Sequence, residues 1–269
     1  MDKIIIFGEK INTINQAVAK ALEEKDKIFF QQLTQAQLNS GIVDVIDINV
    51  GSDAEVEPDN MRWAVSFIEE LIGDKVALSI DSANPDTIIT GINQVKNKKG
   101  TFLNSITLEE KRYKKLLPLV KEFDLNIIAL PIDSKGIPPT AAGRLKLAQE
   151  LLDLVDSYGI DTSKLFIDCI VQPISLSTAN ALVSLETVRL IKKHIPLVKT
   201  FICLTAISFG LPNRKLVNRC FLSLLMKEDV DSIILDPLDK DLVDELYAAK
   251  VLLGIDKNCM DYINYIRNK

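Results

Sequence analysis

Eight short apolar runs punctuate this chain at nearly regular intervals: IIIF (4–7), VDVIDINV (43–50), VALSI (76–80), TFLNSI (101–106), NIIALPI (126–132), LFIDCIV (165–171), TFICL (200–204) and SIILD (232–236). Most are rich in β-branched residues, as strands buried in a parallel sheet should be. Helical repeats lie between them. Met61, Ala64, Val65, Ile68 and Leu71 recur at spacings of three and four. Leu147, Leu151, Leu154 and Tyr158 do the same, opened by Pro138-Pro139-Thr140 and closed by Gly159. A last helix carries Leu242, Leu246 and Leu253 and ends at Gly254. Eight strand–helix units within 269 residues match the size and order of a (β/α)8 barrel of the α/β class. A doubly wound sheet would carry fewer strands and, in its nucleotide binders, a Gly-rich turn after the first. The turn here is GEKIN, with a single glycine. No Pro- or Ser-rich linker breaks the rhythm, so one barrel domain is expected over residues 1–269.

Composition narrows the function. The chain has 32 basic and 37 acidic residues, net charge −5, and no basic cluster denser than KNKK at 96–99. That run reads as a solvated turn, and no nucleic-acid partner is expected. The apolar run before Gly8 is too short for a signal-peptide core or a membrane span. Cys169, Cys203, Cys220 and Cys259 show no CxxC spacing, which fits a reduced, cytoplasmic protein. The single histidine, His194, sits in IKKHIP at a helix end. A His-based zinc site is ruled out, and a His dyad is not expected.

Barrels of this kind keep their chemistry at the C-terminal ends of the strands. Those ends carry, in order, Glu9 and Asn12, Asp47 and Asn49, Asp81, Asn104, Asp133, Asp168, Thr205 and Asp236. Any one of them could simply cap the following turn or helix. Asp81 in SIDSANPD and Asp168 in FIDCIV stand out, because apolar residues precede them and apolar or small residues follow. Such carboxylates project into the mouth and need a partner there. The inventory of Asp81, Asp168, Asn49, Asn104, Ser105 and Arg214 suits a planar heterocycle with an amidine-like edge, since a carboxylate accepts two parallel N–H bonds. Pterins, purines and guanidinium-like groups all qualify. A phosphate would want glycine-rich turns after the seventh and eighth strands, and DPLDKD offers none. A divalent cation between Asp81 and Asp168 is the competing use, with carboxamides rather than further carboxylates as its neighbours.

The segments GEKIN (8–12), DINVGS (47–52), SIDSANP (79–85), LNSIT (103–107), GIPPTAAGR (136–144), FID (166–168) and ISFGLPNR (207–214) together resemble the pterin-binding methyltransferases. These are the methyltetrahydrofolate:corrinoid protein methyltransferases, including the folate domain of cobalamin-dependent methionine synthase; dihydropteroate synthase is a more distant member of the same barrel group. The resemblance runs from Lys3 to about Leu253. It implies that Asp81, Asn104 and Asp168 hydrogen-bond the pterin ring of tetrahydrofolate or 5-methyltetrahydrofolate. Glu9, Asn12, Asp47, Asn49, Ser82, Ser105, Ala206, Ser208 and Arg214 would complete the pocket. It also implies a homodimer and a cobalamin-type corrinoid carried by a separate protein that docks over the mouth; no bound metal is expected, given the carboxamide neighbours of Asp81 and Asp168. The D-x-H-x-x-G cobalamin box of one corrinoid-protein class needs a histidine, and KKHIPL does not fit it.

The chain departs from the family pattern at two positions. The methyltransferases usually read G-L-S-N-[VI]-S at the seventh strand, where this chain has Cys203-Leu204-Thr205-Ala206-Ile207-Ser208. Ala206 thus replaces an asparagine that would reach the folate N5, which opens the alternative of a folate-binding barrel without efficient methyl transfer. Cys169 stands where proline is common, a change expected only to reshape a loop. Dihydropteroate synthases place a lysine at the end of the seventh strand. Leu204-Thr205-Ala206 speaks against that activity.

Overall fold

The computed structural model describes residues 3–268. Eight parallel strands close into a barrel in sequence order: β1 Ile5–Asn12, β2 Val45–Asn49, β3 Ala77–Asp81, β4 Phe102–Ile106, β5 Asn126–Ala129, β6 Leu165–Asp168, β7 Lys199–Cys203 and β8 Ser232–Leu235. Helices α1 Gln16–Glu23, α2 Lys27–Asn39, α3 Glu57–Ile72, α4 Pro85–Gln94, α5 Glu110–Phe123, α6 Ala141–Ser157, α7 Asn180–His194, α8 Arg214–Lys227 and α9 Lys240–Leu252 surround it. The expected (β/α)8 barrel is the fold. Four details differ from the reading of the sequence. β1 continues through GEKIN to Asn12, and two helices rather than one follow it. In α3 the buried residue at the end of the stripe is Ile72, not Leu71. The chain also goes on past Gly254 into a further helix, α10 Met260–Arg267.

Strand alternation divides the buried residues into two cores. One set, including Ile46, Ile48, Ile80, Leu103, Ile127 and Ile167, packs outward against the helices. The other points into the barrel: Phe7, Val45, Phe102, Ile128, Phe166, Phe201 and Ile234 form a separate cluster. Its four phenylalanines meet edge to face, with ring centroids 4.8 Å apart for Phe7–Phe102, 5.1 Å for Phe7–Phe201 and 5.0 Å for Phe102–Phe166. They fill the barrel below its mouth.

β1 departs from regular pairing where it matters most. Gly8 pairs with Ile46 and Ile11 with Ile48, so Glu9 and Lys10 together face Asp47 alone. This bulge delivers one extra polar residue to the rim. The Lys10 N–H is accepted by Gln37 Oε1 of α2 at 3.2 Å. A Cβ on Gly8 would lie 2.4 Å from that same oxygen, so a larger residue there would push the Gln37 carboxamide off the Lys10 N–H.

Phe102→Ala would open a cavity beneath the mouth. We expect a loss of about 3–5 kcal/mol, read from urea denaturation.

Candidate functional site

Above the phenylalanines, the inward positions turn polar. Asp47 and Asn49 come from β2, Asp81 from β3, Asn104 from β4, Asp168 from β6 and Glu9 from β1. Asn49 Nδ2 donates to Asp81 Oδ2 at 2.8 Å, and Asn104 Nδ2 donates to Asp47 Oδ1 at 3.3 Å. Asp168 Oδ1 accepts the N–H of Ile170 at 2.7 Å. Thr205, in the turn after β7, donates its hydroxyl to Glu9 Oε2 at 2.9 Å.

Four carboxylates on an aromatic floor cannot all ionise at ordinary cost. Burial pushes Asp81 up to about 6, against the hydrogen bond from Asn49 and the charge of Arg112. Burial likewise raises Asp168 to about 6, against its bond to Ile170 and the charge of Arg144. Glu9 also reaches about 6 through burial, with the Thr205 bond pulling the other way. Asp47 goes well above the carboxylate range because it is buried and Asp81 stands beside it. The mouth is therefore rich in acceptors that await hydrogen-bond donors, as a ligand with an N–H edge would supply. Among the described residues, no group of three or more His, Cys, Asp or Glu side chains is placed to hold a metal ion.

Other expected site residues are engaged locally. Asn12 Oδ1 accepts the N–H of Ile14 at 2.9 Å in the turn after β1. Ser82 donates to Glu57 at 2.7 Å and accepts from Asn84 at 2.9 Å. Ser208 is fully buried and accepts from Arg214 Nε at 3.1 Å, while Arg214 Nη2 donates to the Thr205 carbonyl at 2.8 Å. Asp133 lies beyond the end of β5 and accepts the Lys135 N–H at 2.8 Å, in a groove it shares with Leu108 and Leu154. The inward residue next after β5 is Leu130 instead, packed on the phenylalanine cluster. Ala206 is half-buried at the β7 exit, beside Thr205.

Two arginines shape the site without entering it. Arg112 of α5 donates to the carbonyls of Ser105 (2.7 Å), Ser82 (2.8 Å) and Ala83, pinning the exits of β3 and β4 together. Arg144 of α6, with no exposed surface, donates to the carbonyls of Cys169 (2.9 Å), Ile170 (2.6 Å) and Pro138 (3.2 Å) and to Gln172 Oε1 (3.2 Å). Ile170 has φ of 52°, a left-handed conformation that disfavours a β-branched residue. Asp168 and Arg144 hold it there from its two ends. Both arginines are missing from the expected site list, yet each had a visible signal. Arg112 shares the buried stripe of Leu116, Leu117 and Val120, and Arg144 that of Ala141, Leu147, Ala148 and Leu151. A charge on an apolar helix face needs buried partners.

Such a mouth, with acceptors and carboxamides from β2, β3, β4 and β6 above a closed barrel, is of the kind that takes a planar ligand with an N–H edge. A family model described as pterin binding enzyme matches residues 12–236, and the chain belongs to that family. It is 30% identical over 266 residues to the methylcorrinoid:tetrahydrofolate methyltransferase of Eubacterium limosum, covering 98% of this chain and 96% of that protein. It is also 25% identical over 246 residues to the methionine synthase of Mycobacterium leprae, a match covering 86% of this chain and 20% of that longer protein. A Yersinia pestis dihydropteroate synthase solved with a pterine–sulfa conjugate shares the fold, with a TM-score of 0.69 over 94% of each chain at 14% identity.

Asp47 tests the cost of this site. Its pKa is raised in the folded chain, so the fold holds that proton longer than the unfolded chain does. Stability from this group is greatest at low pH and declines as pH rises past the unfolded value of about 4. Asp47→Asn should therefore raise Tm by a few degrees near neutral pH. The gap should close as pH falls toward about 4, as measured by calorimetric melts across pH.

Proposed function

We propose that this protein moves a methyl group between N5 of tetrahydrofolate and the cobalt of a corrinoid carried by a separate protein. The observation that carries the reading is the set of buried Asn104 and half-buried Asp81 and Asp168 above a phenylalanine floor. A pterin presents a 2-amino group and a ring N–H side by side, and carboxylates accept such parallel donors well. Sequence identity along nearly the whole length of a methylcorrinoid:tetrahydrofolate methyltransferase supports the same choice.

The rim supports a macromolecular partner. Six of the eight strand-to-helix connections raise an exposed apolar residue: Ile14, Val56, Ile137, Leu176, Phe209 and Leu238. Ile14 is 85% exposed, Leu176 76% and Phe209 61%. Apolar residues collected around one opening favour contact with another protein over permanent exposure to water. In this reading the protein is also a homodimer that leaves its mouths free, with Leu216 and Leu224, exposed on α8, available for that contact. On α9, Leu246 is fully buried and Tyr247 stacks on Tyr265 of α10, so neither serves that contact.

A second reading, folate binding without efficient transfer, rests on Ala206. The two separate in one assay: methyl transfer from 5-methyltetrahydrofolate to cobalamin reduced to Co(I), followed by loss of the Co(I) absorption. Transfer supports the enzyme; tight folate binding with no transfer in either direction supports the carrier. For the pocket itself, Asp81→Ala and Asp168→Ala should each weaken folate binding by about 1–3 kcal/mol. Calorimetry giving unchanged affinity in both variants would remove them from the site. Because the ionised carboxylates accept the pterin N–H groups, affinity should hold above about pH 6 and fall below it.

A further inference from the structure

Methyl transfer from N5 leaves an amine nitrogen that is a poor leaving group unless a proton reaches it. Ala206 supplies no donor. On the methyl-transfer reading, that proton must come from another group in the mouth. In a pterin, the amino and ring N–H edge lies across the bicyclic ring from N5. With that edge held at the exits of β3, β4 and β6, N5 faces the remaining arc, at the exits of β7, β8, β1 and β2; Asp47 of β2 is bonded to Asn104, and burial beside Asp81 holds its proton well above the carboxylate range.

Few groups in that arc can release a proton near neutrality. Arg214 does not deprotonate in proteins, and it is spent on Thr205 and Ser208. Asp236, after β8, accepts Lys10 Nζ at 2.8 Å and is held as an ion pair. Burial pushes the Cys203 thiol well above its ordinary range. The Thr205 hydroxyl is committed to Glu9 Oε2. Glu9 is left. The β1 bulge sets it at the rim, and Thr205, next to Ala206 in the chain, bonds its Oε2 and leaves Oε1 to carry a proton. Among the described residues, Oε1 makes no hydrogen bond of its own.

We propose that Glu9 is the general acid of the methyl transfer, standing in for the donor that Ala206 lacks. As the N5–CH3 bond breaks, the methyl takes the electron pair of the Co(I) nucleophile. The pair left on N5 takes the Glu9 proton, giving tetrahydrofolate and a Glu9 carboxylate that reloads from solvent. In the reverse direction the carboxylate removes the N5 proton as the methyl arrives.

The surroundings suit an acid working near neutral pH. Burial raises Glu9 to about 6, and the charge of Asp236 adds to it; the Thr205 bond, Lys10 and Arg214 pull it down. Asp47 from β2 and Cys203 from β7 also interact with it.

The test is the pH dependence of methyl transfer from 5-methyltetrahydrofolate to Co(I) cobalamin, with folate affinity measured in parallel by calorimetry. In the parent the forward rate should fall as pH rises through about 6, and the reverse rate from methylcobalamin should rise. Glu9→Gln should abolish that limb and lower the rate on the order of 10²-fold, with folate affinity within about threefold. Glu9→Asp, which keeps the acid, should be slower but retain the limb. Adding Ala206→Asn to Glu9→Gln should restore rate by supplying a donor from β7. An unchanged pH profile in Glu9→Gln, or a rate loss matched by an equal loss of affinity, overturns the role of Glu9 and leaves the methyltransferase reading standing. A parent that transfers no methyl in either direction overturns both.

Discussion

The interior of this barrel is organised by the alternation of side chains along eight closed strands. That constraint stacks four phenylalanines below a layer of carboxylates. The rings exclude water from beneath Glu9, Asp47, Asp81 and Asp168, and dry surroundings disfavour their charge. The raised pKa values thus follow from the floor as much as from the carboxylates. A ligand that donates hydrogen bonds relieves the cost, so the site destabilises the fold and attracts its ligand through the same physics. Asn49 and Asn104 meet part of the demand in its absence, at Asp81 and Asp47.

Much of this was legible beforehand, for reasons that differ by element. The strands could be read because buried parallel strands are nearly continuous apolar runs, and their number fixed the architecture. Asp81 and Asp168 could be read because an acidic residue at the end of such a run has nowhere to go but the mouth. Strand boundaries were less visible: NIIALPI reads as one strand, yet β5 stops at Ala129 and leaves Asp133 in a turn. The extension of β1 through GEKIN was hidden because a bulge is a property of two paired strands, and only pairing with β2 shows Glu9 and Lys10 opposite a single residue.

Ser82, Ser208 and Arg214 show a different limit. Their polarity suggests ligand contact, but each has a bonding partner within the protein: Glu57 and Asn84 for Ser82, and one another for Ser208 and Arg214. Sequence states which groups can bond and not which bond wins. The resemblance supplied what spacing alone left open between pterins, purines and guanidinium-like ligands, and the family match agrees with its choice.

The arginine contacts carry a consequence for how such a barrel changes over time. Arg112 and Arg144 grip main-chain oxygens of Ser82, Ala83, Ser105, Cys169 and Ile170, and every amino acid offers that oxygen. The frame around the mouth is therefore indifferent to most of the side chains mounted on it. Arg144 holds Cys169 by its carbonyl, so a different side chain at 169 would leave that grip in place. Chemistry at the rim can be rewritten one residue at a time while the scaffold that presents it stays put.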